Sequence, residues 1–138
     1  MAEAIFRHKI EGLGWSDQVT TDSAGTAAYH IGERPDHRTL QVLESHNIRT
    51  SHRARQVSTY DVEEFDHIIA MDHSNHADLN RKFPTANIML MRDFDPGQEG
   101  AAVPDPYYGG KADFEEVYDI LDRSIDEFIQ KEIQPAIT

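Results

Sequence analysis

The sequence predicts an α/β fold, a three-layer sandwich in which helices cover both faces of a parallel sheet. Two runs, His67-Ile68-Ile69-Ala70-Met71 and Asn87-Ile88-Met89-Leu90-Met91, are too uniformly apolar to alternate, as strands buried on both faces should be. Stretches with helical apolar spacing lie between and around them, which is the βαβ rhythm of a parallel sheet. At 138 residues the chain is long enough for one packed core and short enough to need only one domain, residues 1–138.

Taken in order, Ala2, Ile5, Phe6, Ile10 and Leu13 recur at helical spacing, with Gly12 and Gly14 as a stop. Val19 to Ser23 reads as a short strand leading into Ala24-Gly25-Thr26. A second helix fits Asp36 to His46, with Leu40 and Leu43 facing inward and Asn47 suited to a left-handed terminus. A short helical turn fits Asp61 to Phe65. Asp72 or Ser74 can cap a helix that runs to about Lys82. A long loop from Arg92 to Lys111 precedes a terminal amphipathic helix with Phe114, Val117, Ile120, Leu121, Ser124, Ile125 and Phe128 on one stripe. The expectation is therefore three strands and four helices.

Composition removes much chemistry. Thirteen Lys+Arg against 25 Asp+Glu leave a net charge of −12, which argues against nucleic acid or an anionic membrane as the main partner. The chain contains no cysteine, so disulfides, thiolate metal sites and a cysteine nucleophile are excluded over these residues. No run approaches the ~18 apolar residues of a membrane span, and the first residues lack a secretion signal's apolar stretch. A cytoplasmic location is the expectation. His73 and His76 stand three apart, but with only Asp72 as a nearby third ligand they read as an exposed helix turn rather than a metal site.

Five segments then become specific. Asp105-Pro106-Tyr107-Tyr108-Gly109-Gly110, followed by Asp113-Phe114-Glu115-Glu116-Val117-Tyr118, resembles the acid loop and last helix of the low-molecular-weight protein tyrosine phosphatases. Met1-Ala2-Glu3-Ala4-Ile5-Phe6-Arg7, Asp22-Ser23-Ala24-Gly25-Thr26, Ser51-His52-Arg53-Ala54-Arg55-Gln56 and Met71-Asp72-His73-Ser74-Asn75 agree in family order. The departure is equally specific. The family carries a first strand and a Cys-(x)5-Arg phosphate loop just before the Ala-Glu-Ala helix, and residue 1 here already stands in that helix. The expectation is a phosphatase-like domain incomplete at its N-terminus.

The resemblance implies phosphotyrosine-protein hydrolysis through a phosphocysteine, without metal or organic cofactor, and with phosphotyrosine proteins as partners. Asp105 matches the proton donor. Tyr29 and Tyr107 match aromatic walls of the substrate cleft. Glu3, Ser23 and His52 match the polar groups that prop the phosphate loop, and Asp72 a carboxylate associated with the active-site arginine. With no cysteine, the chain as written is expected to be inactive; a non-catalytic binding relic is the alternative. An Asp72 phosphoacceptor of the response-regulator type would want a strand-end lysine where Arg92-Asp93 stands, and arsenate reductases on this scaffold need several cysteines.

The resemblance also places the family's first strand between Val19–Ser23 and His67–Met71. Without it these neighbours would stand about 9.6 Å apart, two strand spacings, with facing backbone groups unpaired. A gapped sheet is expected to rearrange and shorten, with self-association through the gap.

Overall fold

The computed structural model describes residues 1–26 and 32–137. Its elements run α1 (Ala2–Gly12), α2 (His37–Ser45), α3 (Thr59–Glu64), β1 (Ile68–Ala70), α4 (His73–Lys82), β2 (Ile88–Leu90), a 3-10 turn (Met91–Phe94), α5 (Lys111–Phe128), a π turn (Ile129–Ile133) and α6 (Gln134–Ile137).

Local chemistry explains the boundaries. Asp36 caps α2 by accepting a hydrogen bond from the Arg38 backbone N–H, and Asp72 caps α4 by accepting one from Asn75. Ser58 and Asp61 form a reciprocal capping box at the start of α3. Beyond α2, Asn47 takes φ 61°, the left-handed geometry that ends the helix. A π turn continues α5 without a break, and its Ile129 and Ile133, four positions apart, are both buried.

The sheet has two parallel strands, paired Ile68 to Ile88, Ile69 to Met89 and Ala70 to Leu90. Side-chain alternation sorts them between two apolar clusters. Ala70, Ile88 and Leu90 pack with Leu79 of α4, and Ile69 and Met89 pack against the larger core of α1, α2 and α5. Helices therefore lie on both faces, in three layers. In the larger core Phe128 meets Phe94 edge-on, with ring centroids 5.1 Å apart.

Two expectations are corrected. Val19 to Ser23 is not a strand; the segment touches a neighbour in strand fashion only at the parallel bridge Gly25–Gln56. A strand needs a ladder, and no described strand lies beside this stretch to supply one. The sheet is indeed short, with two strands rather than three, but the gap has not closed. A cavity of about 880 Å³ occupies it, lined by Val19 to Thr26 on one side and His67 to Met71 on the other. Leu79 and Asn75 wall it towards α4, and Val117, Leu121, Ile125 and Phe128 wall it towards α5. It stays open because segment 19–25 is tied down independently. Arg7 donates to the Thr21 carbonyl at 3.0 Å. Gly25 N–H donates to the Arg55 carbonyl and Val57 N–H to the Gly25 carbonyl, both at 2.8 Å.

Candidate functional site

Asp105 stands in the loop that leads from the 3-10 turn into α5. The loop is anchored at one end by the Val103 N–H, which donates to the Met71 carbonyl at 2.8 Å just beyond β1. Asp105 is exposed, lines the cavity, and accepts a hydrogen bond at Oδ1 from the Tyr107 N–H at 3.0 Å. Pro104 and Pro106 restrict the backbone on either side. Gly109 N–H donates to the Pro106 carbonyl at 2.8 Å, closing the turn. A side chain at Gly109 would collide with the Asp113 carboxylate, which is held there by accepting the Gly110 N–H at 2.9 Å.

The far end of this loop is fastened by a residue the sequence did not single out. Arg38 donates to the Tyr107 carbonyl at 3.0 Å and to the Gly109 carbonyl at 3.2 Å. Its guanidinium lies over the Phe114 ring, 4.5 Å from the centroid. Asp36 orients it through two further side-chain contacts. The Arg38 side chain, with the Arg38 N–H, lowers the Asp36 pKa to about 2. Only a contact map could have revealed this latch, because its ends are about seventy positions apart.

Behind the cavity wall the predicted props bond to one another. Ser23 Oγ donates to Glu3 Oε1 at 2.7 Å and lies 3.1 Å from His52 Nε2. His52 Nδ1 is 3.0 Å from Glu3 Oε1, and Arg7 pairs with Glu3 Oε2 at 3.0 Å. Glu3, only 8% exposed, therefore has its charge paired, with hydrogen bonding at Oε1 and an ion pair but no hydrogen bond at Oε2. Asp22 joins this group, since Arg55 donates to its Oδ2 at 3.0 Å. Glu3, Asp22 and His52 each bring one potential ligand atom within 4.8 Å of the others. Those groups are already engaged by Ser23 and Arg55, so the cluster is a closed hydrogen-bonded brace rather than an open cage for a cation.

Arg55 is the arginine in the cavity wall. Its guanidinium forms a two-bond fork with Asp61, at 2.9 and 2.8 Å, besides its contact with Asp22. The Arg55 hydrogen bonds hold the Asp61 carboxyl below the usual carboxylate range, against the opposing effect of burial.

Glu3, Ser23, Asp72 and Asp105 thus line one cavity, and His52 stands behind Ser23. Asp72 Oδ1 is committed to the α4 cap at 2.7 Å. Tyr107 is 58% exposed and lies outside the cavity lining, with its ring edge-on to Tyr108. Tyr29 lies outside the described residues. His73 is exposed, whereas His76 is half-buried and engaged with the Ile88 carbonyl at 3.0 Å and with Asn80.

With Asp72 and Asp105 lining the cavity just beyond the carboxyl end of β1, the site lies where layered α/β domains bind their ligands. Residues 1–136 match the family described as "Low molecular weight phosphotyrosine protein phosphatase", and the chain belongs to that family. A relative of that description from Schizosaccharomyces pombe is 45% identical over 122 residues, covering 86% of this chain and 78% of its own length. The one from Homo sapiens is 40% identical over 136 residues, covering 95% and 85%. Among solved structures, a protein tyrosine phosphatase from Entamoeba histolytica superposes with a TM-score of 0.90 at 34% identity, over 98% of this chain and 88% of its own. Among the described residues, no helix is long and apolar enough to cross a membrane.

Proposed function

We propose that these 138 residues hold the acid half of phosphotyrosine hydrolysis without its attacking half. Asp105 is the proton donor to the leaving tyrosine oxygen. Tyr107, with Tyr29, forms the flat walls for the substrate ring, and Glu3, Ser23, His52 and Asp72 are the supporting polar groups. The observation that carries the reading is the cysteine count of zero. A phosphocysteine cannot form on a chain with no thiol, and a lone carboxylic acid contributes only part of the rate of such a reaction.

The electrostatics support the same reading. Capturing a dianionic phosphate calls for free N–H donors and an uncommitted guanidinium. Arg55 is the arginine among the residues lining the cavity, and both of its faces are already occupied by Asp22 and Asp61.

Incubation with an aryl phosphate tests this directly. Turnover is expected to match a heat-denatured control, and turnover well above it that disappears in Asp105→Asn would overturn the reading.

A further inference from the structure

The Asp105 carboxylate is connected to α2 through a single loop residue. The Tyr107 N–H donates to Asp105 Oδ1 at 3.0 Å, and the Tyr107 carbonyl accepts from Arg38 Nη2 at 3.0 Å. Arg38 Nη1 donates to the Gly109 carbonyl at 3.2 Å, so one planar guanidinium holds two carbonyls of the loop. A fork of this kind fixes direction as well as distance.

The guanidinium is itself held from two sides. Its central carbon lies 4.5 Å from the centroid of the Phe114 ring, which is 2% exposed and part of the larger core, and 5.7 Å from that of the Tyr107 ring. On the other side Asp36 Oδ1 accepts from Arg38 Nε at 3.1 Å, and Asp36 Oδ2 accepts from Nη2 at 3.0 Å. The same Oδ1 accepts the Arg38 N–H at 2.8 Å, the bond that caps α2. With the Asp36 pKa at about 2, this pair stays charged through the neutral range. Solvated ion pairs add little to stability. The loop is also anchored without Arg38, by the Val103 N–H on the Met71 carbonyl and by the turn from Pro106 to Gly109. What the Asp36–Arg38 pair supplies is therefore geometry at Tyr107, the residue that holds the acid.

We infer that Arg38 is a positioning residue for Asp105: braced by Asp36, it fixes the Tyr107 backbone and so the direction in which the Asp105 carboxyl points. The inference rests on the reading of Asp105 as the proton donor. A lysine cannot take the place of Arg38, because an ammonium has no planar fork with which to hold two carbonyls and a carboxylate at once.

The test uses the full chain, isotope-labelled, and reads the Tyr107 amide proton by NMR, since its resonance reports the carboxylate to which it donates. Asp105→Asn marks where that resonance stands without the carboxylate charge. Arg38→Ala should carry it most of the way to that position and speed amide exchange at Tyr107 and Gly109 about tenfold, as a local opening does. Arg38→Lys should stay displaced with it. Asp36→Asn, which keeps a good cap on α2, should move the resonance in the same direction by less. Exchange at Ile88 to Leu90 should stay within about twofold of the unsubstituted chain in every variant. A Tyr107 resonance unmoved in Arg38→Ala or in Asp36→Asn would overturn the inference, and so would full retention of it in Arg38→Lys. Exchange that quickens equally at Ile88 to Leu90 would make Arg38 a general support and overturn it too. Turnover of an aryl phosphate would sink the functional reading and leave these amide signals as they are, so the two fail separately.

Discussion

The two sides of the sheet are built differently. Towards α5, Asp95 is 1% exposed and accepts hydrogen bonds from Arg92 Nε at 3.0 Å and Arg123 Nε at 2.8 Å, knitting the 3-10 turn to the last long helix. Around it lie the largest apolar cluster and the Phe94–Phe128 contact. Towards residues 19–25, by contrast, a strand edge faces an empty slot, and the neighbouring segment is held mainly by polar ties. Cohesion therefore comes from one half of the molecule. That half carries enough buried surface to leave the other half open, because α4 and α5 bridge the slot from above and below.

Breaking the closed side should have the largest effect. Asp95→Ala removes the carboxylate that Arg92 and Arg123 share, leaving Arg92 with the Ala102 carbonyl, and thermal unfolding should show a loss of about 3–5 kcal/mol. That is a large share of the ~5–15 kcal/mol a domain of this kind possesses. A loss below about 1 kcal/mol would mean that the two sides do not differ as described.

Acid should act on the same contrast. The Arg123 hydrogen bond, with Arg92, lowers the Asp95 pKa, and Arg55 does the same for Asp61. Arg38 takes Asp36 to about 2. Because these folded values lie below the unfolded value of about 3.9, their stabilisation is present above that pH. It should be lost as pH falls from about 4 towards 2. A pH series of melts should show this decline steepened relative to Asp95→Asn, which has no carboxylate left to titrate there.

Smaller effects sharpen the comparison on the open side. Asp72→Ala removes the α4 cap and should cost about 1 kcal/mol in the same melts. Arg38→Ala should alter global stability less than Asp95→Ala, yet hasten chymotryptic cleavage at Tyr107 and Tyr108, since the latch holds only that loop. Smallest of all, Ser124 is fully buried in α5 and its hydroxyl has no hydrogen-bond partner among the described residues. Ser124→Ala should be neutral or raise stability by up to about 1 kcal/mol.

Periodicity made α1, α2, α4, α5 and both strands legible, because each buries a stripe or a run against the core. Val19 to Ser23 misled for the opposite reason: its composition suits a strand, but strand formation is decided by a neighbour, which composition does not encode. The 3-10 and π turns went unseen because each spans only one turn. Asp95 was not singled out, since its partner Arg123 is 28 positions away. Glu3, Ser23, His52 and Asp105 were singled out through family resemblance; local pattern alone would have left them as a helix acid, two loop polars and a turn aspartate.

The acid-lined slot has a kinetic consequence. With a net charge of −12 on the chain and carboxylates at both openings of the cavity, the local field opposes the approach of dianionic aryl phosphates. Added salt, by screening over about 10 Å at 0.1 M, should weaken that repulsion.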